Sequence, residues 1–366
     1  QASKRYPSAL ELANEVERFL ADEKVQAYQE SALETPLRFF RQHRRMAQIT
    51  AISIVLLLAV FLGSAFRLGI AARESQAVNE TLLKSAAKLT AVTVQMEMDG
   101  RWFLLEKEAS NPRLIEHLNA NQGPLHDQSR VLFSDLITAI RDRAKLDEVE
   151  AESWFICNSA GVQLARHPSG SSIGQTYAHR DYFHGNGIDL QSGKIGSPPH
   201  IVSEYLSVPY ASSSDGALKV ALTCPIYSQT EGQSGRQFLG VLGMSIKLGD
   251  FEVLTGNLAD GQIAVLANFG SDHFEGEAST GLFLHHPRLS SSFNQEGENA
   301  LPRLAAALLK ELKASPRGLY LRNYMDPVSR NPSKGQWTAA FERVHLRNQS
   351  EWEEDRGWVV IVQRPN

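Results

Sequence analysis

Residues 46–66 read MAQITAISIVLLLAVFLGSAF. These 21 residues contain no Asp, Glu, Lys or Arg, and Ile54 to Leu62 is an unbroken apolar run. A helix rises about 1.5 Å per residue, so the stretch matches the roughly 30 Å hydrocarbon core of a bilayer. In lipid each backbone polar group must be satisfied within the segment, and a helix does this. A buried core helix is usually shorter and shows a polar stripe. A signal peptide starts at the N-terminus, whereas 45 residues precede this stretch. Residues 46–68 therefore read as a transmembrane helix.

The flanks orient it. Arg38, Arg41, Arg44 and Arg45, with His43 among them, come before the span; Arg67 and Arg73, with Glu74, come after it. Positive residues stay on the cytoplasmic side. The reading is a single-pass protein of the cell membrane, with residues 1–45 inside and the residues after the span outside.

The 366-residue chain is 42% apolar and 21% charged, with a net charge of −4. That composition is ordinary for globular domains. No basic stripe interleaves with aromatics, which disfavours nucleic acid as a partner. Two cysteines, Cys157 and Cys224, do not make a disulfide scaffold. The first residue is Gln1, which raises the expectation of a fragment of a longer chain.

Residues 6–20, YPSALELANEVERFL, predict an amphipathic helix. Ser8 and Glu11 form a capping box, and Leu12, Ala13, Val16, Phe19 and Leu20 share one apolar face. Nothing in residues 21–45 offers that face a core. Lys4-Arg5-Tyr6-Pro7-Ser8-Ala9, with Leu12-Ala13 and Glu17-Arg18-Phe19-Leu20, resembles the last helix of bacterial Ser/Thr protein kinase domains. The resemblance covers about 20 residues. It implies a kinase domain upstream of Gln1 that ends near residue 26, uses ATP and Mg²⁺, and is joined to the span by a juxtamembrane segment, 27–45.

No catalytic residue and no cofactor is expected in this chain itself. His179-Arg180-Asp181-Tyr182-Phe183-His184-Gly185-Asn186 fits the kinase catalytic-loop pattern apart from Tyr182. That chemistry also needs a Gly-rich phosphate loop, a strand lysine and a D-F-G carboxylate, and the sequence has none of them.

Beyond the span, residues 71–110 predict one long helix broken at Gly100, with Val78, Leu82, Ala86, Leu89, Val92, Met96 and Phe103 at three- and four-residue steps. A turn at Asn121-Gln122-Gly123-Pro124 precedes a second helix, Ser129 to Ala144, with Leu132, Phe133, Leu136, Ile137 and Ile140 inward. The period then changes to strands: a hairpin over 154–166, then 200–207, 218–225 and 238–248. A second set follows at 263–268, 282–286, 318–324, 336–344 and 358–363, around an amphipathic helix at 301–313. The fold class is α+β, with a long N-terminal helix and two antiparallel-sheet modules.

That order, with Ile173-Gly174 leading to Arg180-Asp181-Tyr182-Phe183 and then Gly240-Val241-Leu242-Gly243-Met244-Ser245-Ile246, resembles the double Cache sensors. These are PAS-like extracytoplasmic domains of bacterial receptors. Trp337 to Val344 and Gly357 to Gln363 fit their membrane-proximal module. The resemblance implies a stalk helix with a membrane-distal module over 69–255 and a membrane-proximal module over 256–366.

In that family a small molecule sits between the distal sheet and an overlying loop. The resemblance implies ligand contacts from Tyr177, Arg180, Tyr182, Phe183, Tyr205 and Ser245. An arginine can hold a carboxylate by two parallel hydrogen bonds while aromatic walls exclude water. Pairing of Arg180 with a neighbouring acid stays open as a purely structural role. Where amino-acid-binding members have an Asp for the ligand's ammonium, this chain has Ser245. A simple carboxylate or a neutral ligand is therefore expected ahead of an α-amino acid.

Neither His179 with His184 nor His285 with His286 has the spacing of a metal pair, so no metal site is expected. Asp215-Gly216 reads as turn chemistry. In a PAS-like sheet the fifth strand lies between the first and fourth, which separates Cys157 from Cys224 and predicts two free thiols. The functional expectation is extracytoplasmic sensing that regulates a cytoplasmic Ser/Thr kinase, with a homodimer among its partners. The alternative is a non-enzymatic receptor of chemoreceptor type.

Overall fold

The computed structural model describes residues 6, 8–21, 23, 25, 44–122, 126–190, 199–232, 235–251, 254, 258–259, 261–269, 280–289, 302–315, 318–328, 336–347 and 357–365. Arg38, Arg41 and His43 lie outside them, as do Gly123-Pro124 of the expected turn and Leu301 of the expected helix. The chain divides into two compact units, Gln1–Val78 and Asn79–Asn366.

In the first unit, helix α1 (Ala9–Leu20) starts as its capping residues dictate, with the Ser8 hydroxyl accepting from the Glu11 N–H at 3.2 Å. Its apolar side chains Leu12, Val16, Phe19 and Leu20 are exposed. Helix α2 (Arg44–Ala109) runs unbroken through 66 residues, Gly100 included. It contains one segment long and apolar enough to cross a membrane, with mean hydropathy 2.5 over its most apolar window and none of that window buried.

In the second unit, the stripe of α2 that is buried is Leu83, Ala87, Ala91, Val94, Met98, Trp102 and Leu105. This is opposite to the stripe that the sequence pattern singled out. Leu82, Leu89, Val92, Met96 and Phe103 are exposed. Two apolar stripes compete on this helix, and the shared core takes the one that carries Leu83, Ala87, Ala91 and Trp102.

Helix α3 (Pro112–Ala120) was not expected. Asn111 caps it, accepting from the Arg113 N–H, and Pro112 occupies the first turn where a missing N–H costs nothing. Helix α4 (Asp127–Leu146) buries Phe133, Ile137, Ile140 and Ala144, while Leu132 is exposed.

The distal sheet contains β1 (Ser153–Asn158), β2 (Gln163–His167), β3 (Tyr205–Leu206), β4 (Tyr210–Ala211), β5 (Leu218–Gly232) and β6 (Gly235–Lys247). Its order is β2-β1-β6-β5-β3, with β4 also on β5. The proximal sheet contains β7 (Ile263–Asn268), β8 (Phe283–His285), β9 (Leu319–Met325), β10 (Gln336–Val344) and β11 (Trp358–Pro365), ordered β8-β7-β11-β10-β9.

Counted within its module, the proximal sheet runs second, first, fifth, fourth, third; the distal sheet follows the same path once the two-residue β4, which pairs only with β5, is set aside, and every pairing is antiparallel. One face of each sheet joins a single core with α2, in which Trp154, Leu222 and Met244 meet Leu266, Val360 and Trp358. Helix α5 (Asp181–His184) lies over the distal sheet and α6 (Ala306–Lys313) belongs to the proximal module. The latter starts five residues later than expected, because Arg303 is extended and bridges to Leu282.

Cys157 on β1 pairs with Val241, and Cys224 on β5 pairs with Leu242 of the same intervening strand, β6. Cys157 packs in the cluster on the outer sheet face and Cys224 in the core on the inner one, so both a strand and the sheet itself separate them. Both are free and buried, and burial raises both thiols, Cys224 up to about 12. They are protonated at neutral pH and poor nucleophiles. A maleimide is expected to label neither in the native protein and both after unfolding. Mass spectrometry of unreduced peptides showing Cys157 joined to Cys224 would contradict the strand order.

Candidate functional site

The outer face of the distal sheet is lined, across its strands, by Gln163 and Arg166 of β2, Ser153 and Phe155 of β1, and Lys219 of β5. Phe155 can lie flat over the sheet because Gly243 stands opposite it on β6. A Cβ at Gly243 would come within 2.3 Å of the Phe155 ring and 2.8 Å of the Thr223 methyl.

Above this floor run residues 174–190 and 199–210. The first stretch is stitched to β2 by backbone bonds: Gly174 N–H to the Gln163 carbonyl, Gln163 N–H to Gln175, and Tyr177 N–H to Gly161. A Cβ at Gly161 would sit 2.7 Å from Ala178, so glycine allows the roof to approach this closely.

The roof is pinned by Asp181. Its carboxylate accepts from the N–H of Gly187 at 2.5 Å and of Val208 at 2.8 Å, and from the Tyr205 hydroxyl at 2.9 Å. Asp181 opens α5, and Gly185 closes it in the left-handed conformation. The turn places Arg180 and Tyr182 over the cleft, with the Tyr182 ring 5.0 Å from Phe155 and 5.5 Å from Tyr210. Tyr177, Arg180 and Tyr182, with Tyr210 and Ser212 to Ser214, complete the lining of a small cleft.

The six expected ligand residues separate here. Tyr177, Arg180 and Tyr182 line the cleft. Ser245 is fully buried behind it, its hydroxyl 2.7 Å from that of Ser153, which does line it. Tyr205 spends its hydroxyl on Asp181, and Phe183 packs on Phe238 in the aromatic cluster beside the cleft. Arg180 is already engaged: one Nη bonds Asp189, the other donates to the Ala211 carbonyl at 3.1 Å, and the guanidinium lies 5.3 Å from the Tyr210 ring centre. Its Nε has no hydrogen-bond partner among the described residues. The acid that pairs with it is Asp189, not Asp181.

Several residues that the pattern did not single out share the site. Lys219 is 1% exposed, and its Nζ donates to Asp215 at 2.8 Å with Glu152 at 3.6 Å. Asp215 thus does more than make a turn; hydrogen bonds from Lys219, Ser212 and Ala217 outweigh burial and hold its carboxyl below the usual range. Among the described residues the Gln163 Oε1 and the Ser172 hydroxyl, both buried in the lining, have no hydrogen-bond partner.

Among the described residues no cluster of His, Cys, Asp and Glu could hold a metal ion. His184 Nε2 bonds the His179 carbonyl at 3.1 Å, and His285 and His286 turn apart to Gly249 and Asp326.

No family model and no curated protein matches the chain. Solved structures that resemble it include the ligand-binding domain of the Pseudomonas fluorescens chemoreceptor CtaA in complex with L-serine. That match has 14% identity, covers 79% of this chain and 98% of that one, and has a TM-score of 0.47. The ligand-binding domain of the Pseudomonas aeruginosa amino acid chemoreceptor PctC in complex with GABA is 17% identical, over 78% of this chain and 99% of that one, at 0.45. An extracellular ligand binding receptor from Desulfohalobium retbaense is 11% identical, over 76% of this chain and 39% of that one, at 0.47. The ligands belong to those proteins.

Burial raises the Asp181 carboxyl from 3.8 to about 6, against the donors of Val208, Tyr205 and Gly187 that favour its charge. A carboxyl raised on folding adds stability that is fully present below about pH 4 and lost as pH rises through about 6. The native chain is therefore expected to gain about 1 kcal/mol between pH 7 and pH 5 relative to Asp181→Asn. Melting curves of the two at both pH values check this; a gap independent of pH would contradict it.

Proposed function

We propose that this chain senses a small molecule outside the cell. The cleft on the distal sheet is the binding site, in a single-pass membrane protein whose residues 1–45 lie in the cytoplasm. The observation that carries the reading is the pair of buried, unpartnered polar side chains, Gln163 and Ser172, in the lining. Such groups are costly unless something bonds them. The unoccupied donor on Arg180 adds a place for an acceptor, and three tyrosines wall it from water. A carboxylate is the ligand group favoured at Arg180, with Tyr177 and Tyr182 beside it.

On this reading residues 69–255 form a double Cache sensor's distal module and 256–366 its proximal one, and the strand order of the two sheets supports it. The output is regulation of a Ser/Thr kinase domain upstream of Gln1 that binds ATP and Mg²⁺. The kinase-like wording of residues 4–20 and the exposed apolar face of α1 support that output. A chemoreceptor-type receptor uses the same sensor, and the coding sequence before Gln1 separates the two. Kinase glycine-loop and catalytic-loop signatures there support the first, and their absence the second.

Two copies pairing along α2 complete the proposal. Val78, Leu82, Leu89, Val92, Met96 and Phe103 are exposed at steps of three, four and seven, the heptad spacing that a second identical helix covers. Sedimentation of the detergent-solubilised chain should show a dimer that Leu89→Asp with Met96→Asp converts to monomer; a monomer throughout would exclude the pairing.

For the site, a thermal-shift screen of small metabolites on the whole chain should find a carboxylate that raises the melting temperature. Arg180→Ala should abolish that shift, and Arg180→Lys should too, because a compact ammonium cannot reproduce the planar, divergent fork that reaches Asp189, Ala211 and a ligand carboxylate at once. Unchanged shifts in both variants would show that the arginine is only structural.

A further inference from the structure

The cleft's lining is charged on one side only. Arg166, Arg180 and Lys219 face it, and among the described residues no aspartate or glutamate is part of it. The acids that pair with Arg180 and Lys219, namely Asp189, Asp215 and Glu152, stand behind them. Arg166 donates to the Pro168 carbonyl and, among the described residues, has no carboxylate partner. An ammonium has three N–H groups, so Lys219 keeps a donor beyond its bond to Asp215.

The polar groups that remain are neutral. The Gln163 Oε1 can only accept, and the Ser172 hydroxyl can do either; both residues are more than nine-tenths buried.

A ligand that satisfies all of these needs an acceptor-rich anionic group for the cations and an O–H that donates to Gln163 and accepts from Ser172. An α-amino acid would instead bring its ammonium into a lining of three cations and no acid. A hydroxyl carries the same donor without the charge.

Resting on the reading of this cleft as the sensing site, we infer that its ligand class is small hydroxycarboxylates. It discriminates against the corresponding amino acids and against acids that lack the hydroxyl. A site built around a ligand hydroxyl loses strongly when the hydroxyl is missing, because the buried partners are left unpaired.

Two matched series test this by isothermal titration of the whole chain in detergent micelles: malate, aspartate and succinate, and lactate, alanine and propionate. In at least one series the hydroxy acid, as one enantiomer, should bind ten times or more tighter than both partners. Gln163→Leu should shrink the gap between the hydroxy and unsubstituted acids to less than threefold, and Ser172→Ala, a milder change, should narrow it too. Lys219→Met should lose binding of every acid; native near-ultraviolet circular dichroism of each variant confirms that it folds.

An amino acid that binds as tightly as its hydroxy counterpart, or failure of both hydroxy acids to bind, overturns the inference. The two readings fail differently. If an amino acid binds and Arg180→Ala abolishes it, the cleft is the site but its ligand class is wrong. If binding survives Arg180→Ala, Lys219→Met and Gln163→Leu unchanged, the cleft is not the site.

Discussion

The carboxylate of Asp181 holds the distal module's roof together. It is 1% exposed and gathers two backbone N–H groups and a tyrosine hydroxyl from three separate points of the chain, Gly187, Val208 and Tyr205. Hydrogen bonds to a buried charge contribute about 1.5–3 kcal/mol each, and deleting the acceptor would leave buried donors unpaired. Everything at the cleft follows from that anchorage. It fixes the turn of α5, the turn aims Arg180 and Tyr182 downward, and Tyr182 in turn meets Phe155 across the space that Gly243 leaves open. The neighbouring Asp189 reinforces the arrangement by accepting from the Asp181 N–H at 2.9 Å while it pairs with Arg180.

Apart from the short β4, the two modules share a strand order, and they differ in what covers their outer faces. On the proximal sheet that face is apolar: Val265, Phe269, Phe283, Trp337, Phe341 and Ile361 pack with Leu309 and Leu312 of α6. Among its buried polar groups Asp326 accepts from Gln363 at 2.9 Å and from the Val328 N–H at 2.9 Å, with His286 at 3.3 Å, while among the described residues Tyr324 Oη, Trp337 Nε1, His285 Nε2 and Gln363 Oε1 have no hydrogen-bond partner. On the distal sheet the aromatic cluster covers only part of the face, and Ser153, Gln163 and Lys219 interrupt the remainder. Burying such groups is unfavourable without partners. The same architecture therefore yields a packed layer in one module and a polar cleft in the other.

Most of the fold was legible in the sequence because strand alternation and helix caps are local. β7 and β10 fall at their expected residues, whereas the strand order within the sheets came from the resemblance to PAS-like domains. What was misjudged depended on distant partners. On α2 both stripes are apolar, and only the sheets decide that Leu83, Ala87 and Trp102 are buried rather than Leu82, Leu89 and Phe103. The Asn111-Pro112 signal of α3 is local, a cap followed by a first-turn proline.

At the site, Tyr177, Arg180 and Tyr182 sit in a recognisable stretch and the structure brings them together. Lys219 was hidden by the rule that reads strands. Leu218, Val220 and Leu222 alternate with Lys219, Ala221 and Thr223, a pattern that implies a wet outer face. A roof formed some 40 residues earlier makes that face dry. Gln163 and Ser172 gave no local signal, since their importance lies in lacking partners.

The central claim, that a small molecule enters between the distal sheet and its roof, is tested most directly by hydrogen exchange on the whole chain with and without a compound that raises its melting temperature. Slower exchange is predicted in residues 174–189 and 205–219, with 263–268 and 358–365 unchanged. Protection confined to the proximal sheet, with the roof exchanging as before, would contradict the account.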